Sequence, residues 1–184
     1  MKNNYYRFYC FLFCCLLAAG QLARAQAVIF PQAKQAGAAK VKAKKGTYIL
    51  SNNLFTATFV ETDGKLRFGG APQLGLLPQT ELFKIRLAEG PEVAASAMTL
   101  KGVQLLKLKG EADAIKGAHK LDGQAIEAEF EFAGLDICWR AVLRNGSHYL
   151  RTELELTARQ DVAMHSIIPM CYLVDNLNGT EVPK

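Results

Sequence analysis

The amino-acid sequence predicts an all-β protein, an antiparallel β-sandwich, on three observations. Apolar and polar residues alternate with a period of two along most of the chain after Thr47. Residue pairs typical of tight turns separate these stretches, and Asn145-Gly146 is the strongest of them. Segments of ten or more residues that combine a helical period with capping residues are missing, and a parallel α/β fold would need them between its strands.

The first 25 residues have the three parts of a secretory signal peptide. Lys2 and Arg7 form a basic start, an apolar run covers residues 8–20, and Ala23-Arg24-Ala25 is a small-x-small cleavage site. The apolar run is shorter than the roughly 20 residues that a membrane-spanning helix needs. We therefore expect a secreted, periplasmic or cell-envelope protein without a membrane span after cleavage. A retained membrane anchor is the alternative.

The net charge of the chain is modest once this segment is set aside. The whole chain has 22 basic and 17 acidic residues and a formal charge of +5, but residues 1–25 hold three basic residues and no acid. A nucleic-acid-binding protein carries a stronger and more clustered positive excess. We expect no nucleic-acid partner.

Residues 26–46 are predicted to be a linker rich in alanine, lysine and glycine. Residues 32–46 contain no acid and almost no large apolar side chain, which favours a flexible or partly helical spacer. The alternative is a basic patch that contacts an anionic surface or polysaccharide, and residues 28–31 could form an isolated edge strand. The β-sandwich domain is then expected over residues 47–184.

Eight to ten strands in a sandwich of two antiparallel sheets follow from the period of two and the turn residues between them. The expected strands are 47–51, 54–61, 66–68, 81–87, 98–109, 124–132, 135–143, 148–158 and 162–174. Asn52-Asn53 and Asp63-Gly64 are suited to tight turns, whereas residues 110–123 are expected to be a long exposed connection. The strand 98–109 should be interrupted at Gly102, and Pro169 indicates that the last strand lies at an edge or contains a bulge.

The strand 124–132 has the strictest alternation in the chain. Apolar side chains share one face and three glutamates share the other, which predicts one buried and one solvated face. The apolar residues are Ile126, Ala128, Phe130 and Phe132, and the glutamates are Glu127, Glu129 and Glu131.

The next two strands should form a hairpin closed by Asn145 and Gly146. A two-residue loop would place Arg140 opposite Arg151 and Cys138 opposite Glu153. The same register assigns Trp139 to the leucine face and therefore to the core, although a lone tryptophan could also serve as a sugar platform. The charged face would gather Asp136, Arg140, Tyr149, Arg151, Glu153 and Glu155. Arg140 and Arg151 would repel each other unless Glu153 or another carboxylate shares them.

Two cysteines remain after the predicted cleavage, Cys138 and Cys171. An exported chain could join them in a disulfide, and the alternative is two buried thiols. The histidines are widely separated and the motifs C-x-x-C and H-E-x-x-H do not occur, so we expect no metal site.

The run WRAVLRNGSHYLRTELELTARQDVAMHSI, which begins at Trp139, is similar to part of the N-terminal β-supersandwich domains of certain bacterial glycoside hydrolases. The similarity covers about 35 residues, and it rests on a tryptophan strand, the turn at 143–147, Tyr149-Leu150-Arg151 and the acidic strand after it. These domains are galactose-mutarotase-like and precede catalytic barrels in enzymes of the alpha-galactosidase and endo-alpha-N-acetylgalactosaminidase types. The resemblance implies a domain that flanks a sugar site, while the catalytic acid and nucleophile belong to a downstream barrel. The chain would then be a fragment or a truncated module.

The functional expectation is a secreted, non-catalytic carbohydrate-binding-type domain without cofactors. Tyr149 and Arg151, supported by Arg140 and Glu153, are the candidate sugar-binding residues, because an aromatic ring and planar donors suit a sugar. Glutamates alternating on a solvated strand face are usually solubilising, so no catalytic residue is assigned. One alternative is a docking module with no ligand of its own. The other is an aldose epimerase-like enzyme that would use two histidines, His148 and His165, with Glu153.

Overall fold

The structure, a computed structural model, describes residues 34–171. It confirms the all-β prediction: strands dominate, three antiparallel sheets pack together, and the helices of the described residues are 3₁₀ turns of three or four residues. The 3₁₀ turns are Pro72–Leu74, Ala95–Ala97 and Gly117–Lys120. The strands are β1 Lys40–Lys44, β2 Thr47–Ser51, β3 Thr56–Thr62, β4 Lys65–Gly70, β5 Lys84–Leu87, β6 Glu92–Ala94, β7 Thr99–Leu108, β8 Gly123–Phe132, β9 Leu135–Arg144, β10 Arg151–Ala158 and β11 Met164–Ile168. The predicted signal peptide and the predicted strand at 28–31 lie outside the described residues.

The first sheet has the strand order β1-β2-β3-β4 and follows the turn chemistry of its sequence. Asp63 and Gly64 both have positive φ, 51° and 67°, and connect β3 to β4 as a two-residue loop. Before β3, the side-chain carbonyl of Asn52 accepts hydrogen bonds from the backbone N–H groups of Leu54 and Phe55. Both predicted turns are therefore confirmed.

The linker prediction is wrong for its last part, because Lys40–Lys44 forms the edge strand β1. The strand pairs along its whole length with β2. Val41 packs against the core, and Ala36 and Ala39 just before the strand are buried. The residues between the lysines are too small to give a clear apolar signal, and lysines are well suited to the exposed edge of a sheet.

The second sheet has the order β10-β9-β8-β7 and contains the longest strands. Its central hairpin is closed by Ala133 and Gly134, which both have positive φ, so that Phe132 faces Leu135. Strand β7 shows the predicted interruption as a register shift between Leu100 and Gly102. The predicted alternation in β8 is confirmed on its apolar face, since Ile126, Ala128 and Phe130 are buried.

The predicted register of the β9–β10 hairpin is wrong by two residues. Arg140 lies opposite Glu153, not Arg151, and Trp139 lies opposite Leu154. The predicted assignment of side chains to the two faces of the sheet remains correct, because a shift of two residues preserves the alternation.

The register is shifted because the Asn145-Gly146 turn forms hydrogen bonds with a distant part of the chain. The Asn145 side chain accepts a hydrogen bond from the backbone N–H of Ala39, and the N–H of Gly146 donates to the carbonyl of Gly37. Strand β10 therefore begins only at Arg151, and residues 145–150 form a longer connection.

The third sheet has the order β11-β5-β6 and was only partly predicted. Strand β5 begins at Lys84, later than expected, and β6 was not predicted because it has only three residues. Strand β11 is an edge strand with a register shift between Met164 and Ser166, and it ends directly before Pro169. The predicted continuation over 172–174 lies outside the described residues.

One core cluster receives side chains from all three sheets. The rings of Phe59 in the first sheet and Trp139 in the second meet edge to face with centroids 5.2 Å apart. Phe83, just before β5, makes a similar contact with Phe130, at 5.3 Å. Trp139 is fully buried, which confirms its assignment to the core.

Candidate functional site

The outer face of the second sheet, on the side opposite the core, carries a dense arrangement of charged groups. We call it the charged face. The cross-strand register aligns its residues in rows that run from β7 to β10. The central rows are Leu106–Ala125–Val142–Arg151, Gln104–Glu127–Arg140–Glu153 and Gly102–Glu129–Cys138–Glu155, and the last is Thr99–Glu131–Asp136–Thr157.

The centre of the charged face is the pair of Glu127 on β8 and Arg140 on β9. The two residues are direct cross-strand partners, and the Arg140 Nε donates to the Glu127 carboxylate. Gln104 donates to the other carboxylate oxygen at 2.5 Å, and Arg140 also reaches Glu155 at 3.3 Å. The Glu127 side chain is only 8% exposed, so the predicted solvated position for this glutamate is wrong. Its charge is instead satisfied by fixed donors, as burial of a carboxylate requires.

These contacts shift the titration of the groups involved. Burial alone would raise the pKa of Glu127, but hydrogen bonds from Arg140, Gln104 and Cys138 outweigh it and hold the pKa below its ordinary value. Burial and the hydrogen bond to Glu127 raise the pKa of the Cys138 thiol to about 11. Glu127 is therefore held as an anion and Cys138 as a neutral thiol at neutral pH.

A second ion cluster lies at the end of the charged face near the β8–β9 turn. Arg159, just after β10, donates from Nε to Asp136 at 2.6 Å and from a terminal nitrogen to Glu131 at 3.2 Å. Lys101 forms an ion pair with Glu131 from the other side. The hydrogen bond from Arg159 lowers the pKa of Asp136, and that from Lys101 is the largest cause of the lowered pKa of Glu131.

A groove with a volume of about 370 Å³ opens between these two clusters. Polar side chains from all four strands line it, together with parts of Phe130 and Ile137. The polar lining consists of Lys101, Glu127, Glu129, Asp136, Cys138, Arg140, Glu155 and Thr157. The volume is at the lower end of the range for small-molecule sites.

The structure brings together three of the four predicted sugar-binding residues. Arg140 and Glu153 are cross-strand partners, and Arg151 forms an ion pair with Glu153 at 2.5 Å. The expected repulsion between Arg140 and Arg151 is absent, because each arginine has its own carboxylates. Tyr149 lies in the 145–150 connection, outside the strands, and is 57% exposed. Of the four, only Arg140 lines the groove.

Sequence reasoning missed Glu127 as a member of the site. The sequence did contain a signal for it, because treating Ala133-Gly134 as a two-residue turn places Glu127 opposite Arg140. The contributions of Lys101 and Arg159 depend on side-chain reach across strands, for which the sequence has no periodic signal.

Cys138 and Cys171 are both free thiols, each partly buried, so the disulfide alternative does not form. The groups of the epimerase alternative are spread over three elements: His148 lies in the 145–150 connection, His165 in β11 and Glu153 in β10. Residues 34–171 contain no group of three or more potential ligands arranged to hold a metal ion. In the same part of the chain, no helix has the length and apolar character to cross a membrane.

Comparison of the chain with protein-family models, with curated proteins and with solved structures found no match.

Proposed function

We propose that this protein is a non-catalytic carbohydrate-binding domain of the β-supersandwich type, and that the groove on the charged face holds the sugar. The observation that carries the proposal is the groove itself, with its fixed polar groups on rigid strands. Binding groups on strands are held more precisely than groups on loops, which suits recognition of a small polar ligand.

The chemistry of the lining favours a polyhydroxylated ligand. The Arg140 guanidinium is held by Glu127 and Glu155, which leaves it oriented for a sugar hydroxyl. Glu129 is exposed and forms no ion pair among the described residues, so its carboxylate is available as an acceptor. Adjacent hydroxyl groups of a sugar are matched by such alternating donors and acceptors.

The state of the carboxylates supports a binding role without catalysis. A general acid in glycoside hydrolysis needs a raised pKa, whereas the pKa values of Glu127, Glu131 and Asp136 are all lowered by their cationic neighbours. Glu153 and Glu155 are each engaged by an arginine. The proposal includes secretion, from the N-terminal pattern, and a downstream catalytic domain, from the resemblance to glycoside hydrolases.

The test is titration of the protein with neutral mono- and oligosaccharides, including galactose and N-acetylgalactosamine, by calorimetry or NMR. We expect weak binding, with a Kd on the order of millimolar, that Glu155→Gln weakens by about three- to tenfold through loss of one charged hydrogen bond. Glu111→Gln, in the exposed β7–β8 connection, is the matched control and should bind like the unaltered protein. Absence of binding to every sugar, or an equal loss in the control, would contradict the proposal.

A docking module is the second candidate, and exposed apolar residues at the edge strand β11 favour it. Ile167 and Ile168 are 41% and 37% exposed, and Met170 just after the strand is 57% exposed. An unpaired strand edge with apolar side chains is suited to covering by another protein segment. Ile168→Lys should leave sugar binding unchanged but abolish association with a downstream domain expressed separately, which distinguishes the two candidates.

A further inference from the structure

The outer face of the first sheet is strongly basic. Lys40, Lys42 and Lys44 alternate on β1 and project to the same side as Lys65 and Arg67 on β4. The register confirms the shared face, because Lys44, Thr47, Val60 and Arg67 form one cross-strand row. At the usual spacing between strands, the two ends of this row are about 14 Å apart. We call this surface the basic face.

The cations of the basic face are largely uncompensated. All four lysines are exposed, and none forms an ion pair within residues 34–171. Arg67 contacts Glu81 at 3.4 Å, and Asp63 lies in the β3–β4 turn, next to the outward pair of Thr62 and Lys65. Glu61 points to the other side of the sheet, where it accepts a hydrogen bond from Tyr48. Like charges on one rigid surface create a positive potential that an anionic partner would relieve.

A groove with a volume of about 520 Å³ runs along the β3–β4 part of this face. Val60, Gly69, Pro78 and Gln79 are among the residues that line it. Its polar lining consists of Thr62, Asp63, Lys65, Arg67 and Gln79. A hydroxyl, an amide, two cationic groups and the Asp63 carboxylate therefore line one groove.

We propose that the basic face binds an anionic polysaccharide, with one sugar unit in this groove and the acidic groups of the polymer along Lys42, Lys44 and Lys65. Threonine hydroxyls and the Gln79 amide suit the hydroxyl groups of such a polymer, and the lysines suit its carboxylates or sulfates. The outward positions of the four strands carry no aromatic residue. Proteins that bind single-stranded nucleic acids stack aromatic side chains on the bases, and proteins that bind membrane surfaces insert aromatic side chains into them. This site lies on a different sheet from the charged face and does not depend on the sugar site proposed there.

The test is affinity electrophoresis of the full chain in gels containing polygalacturonate, dextran sulfate or uncharged dextran. We expect retardation by one or both acidic polymers but not by dextran, and a steep weakening with salt. The two acidic polymers separate carboxylate from sulfate recognition. The triple variant K42Q/K44Q/K65Q should bind roughly tenfold more weakly.

The matched control is K107Q/K116Q/K120Q, which removes the same charge from exposed positions outside the basic face and should bind like the unaltered protein. Equal losses in both variants would overturn the proposal, because they would indicate a response to net charge alone. Retardation by neither polymer, or binding to phosphatidylserine vesicles or single-stranded DNA in preference to them, would also overturn it. Sugar binding on the charged face should be unchanged in the triple variant, so the two sites can fail separately.

Discussion

Arg140 and Glu127 face each other directly across strands β9 and β8, and the arginine donates from Nε to a carboxylate that is almost completely shielded from water. Because Gln104 also donates to this carboxylate, the acceptor is saturated with fixed partners. A saturated buried anion orders the side chains around it, and here it holds the Arg140 guanidinium in one position on the charged face.

Replacing Arg140 should be costly, because it leaves Glu127 buried without a cation. We expect Arg140→Gln to lower the free energy of unfolding by about 2–3 kcal/mol in urea denaturation. The double variant E127Q/R140Q removes the charge as well and should recover part of the loss. Arg86→Gln, at an exposed arginine of β5, is the control and should change stability by less than about 0.5 kcal/mol. A loss in R140Q no larger than in R86Q would contradict this role of the pair.

The lowered pKa of Glu127 gives the stability of the protein a defined pH dependence. Since the folded state holds the anion more strongly than the unfolded chain, the contribution is present above the ordinary pKa of 4.5 and is lost as the pH falls through the folded value. The free energy of unfolding should therefore fall as the pH is lowered from about 5 toward 3. Glu127→Gln should be less stable at neutral pH but should have a shallower acid slope.

The control for this measurement is Glu129→Gln, at an exposed position two residues along the same strand. Its free energy of unfolding at neutral pH should match that of the unaltered protein, and Glu131 and Asp136 supply the acid slope that remains in E127Q. Equal slopes in E127Q and the unaltered protein, measured by urea denaturation at several pH values, would show that Glu127 is not held as described.

The fold was predictable where local turn chemistry and side-chain alternation agree. Asp63-Gly64 closes a two-residue loop as expected, and the alternation in β8 identifies its buried face. The β9–β10 register was not predictable from Asn145-Gly146, because this turn is also bound by Ala39 and Gly37, more than a hundred residues earlier in the chain. Long-range hydrogen bonds of this kind leave no periodic trace in the sequence.

The sequence predicted which residues share the charged face, but not which of them are cross-strand partners. Arg140, Arg151 and Glu153 share a face as expected, since an even register shift preserves the faces. Which carboxylate each arginine meets depends on the register itself, so the expected Arg140–Arg151 contact was wrong. Strand β1 was missed because Val41 and Ala43 are small and the lysines between them resemble those of a solvated linker.

Cys138 should be an unreactive thiol despite being partly accessible. Its pKa of about 11, raised by burial and by the hydrogen bond to Glu127, leaves little thiolate at pH 8. We expect alkylation by iodoacetamide to be about tenfold slower than for an unhindered cysteine, because a higher intrinsic nucleophilicity partly offsets the smaller thiolate fraction. Peptide-resolved mass spectrometry separates this site from Cys171. Glu127→Gln should accelerate the reaction at Cys138 and leave Cys171 unchanged, and equal acceleration at both sites would instead indicate general loosening of the fold.

Trp139 provides a direct report on the packing of the first sheet against the second. It is the only tryptophan in the sequence, it is fully buried, and its Nε1 has no hydrogen-bond partner within the described residues. Trp139→Phe therefore removes packing volume but no hydrogen bond. We expect it to lower the free energy of unfolding by about 1–2 kcal/mol, against about 3–5 kcal/mol for Trp139→Ala.

The unaltered protein should show blue-shifted tryptophan emission that moves to the red in the same transition as the loss of far-UV circular dichroism. Phe59→Leu, which removes the edge-to-face contact of 5.2 Å, should shift this emission, whereas Phe83→Leu, a matched change at a ring that contacts Phe130, should alter it much less. Emission typical of exposed indole in the folded protein would contradict the packing of these two sheets.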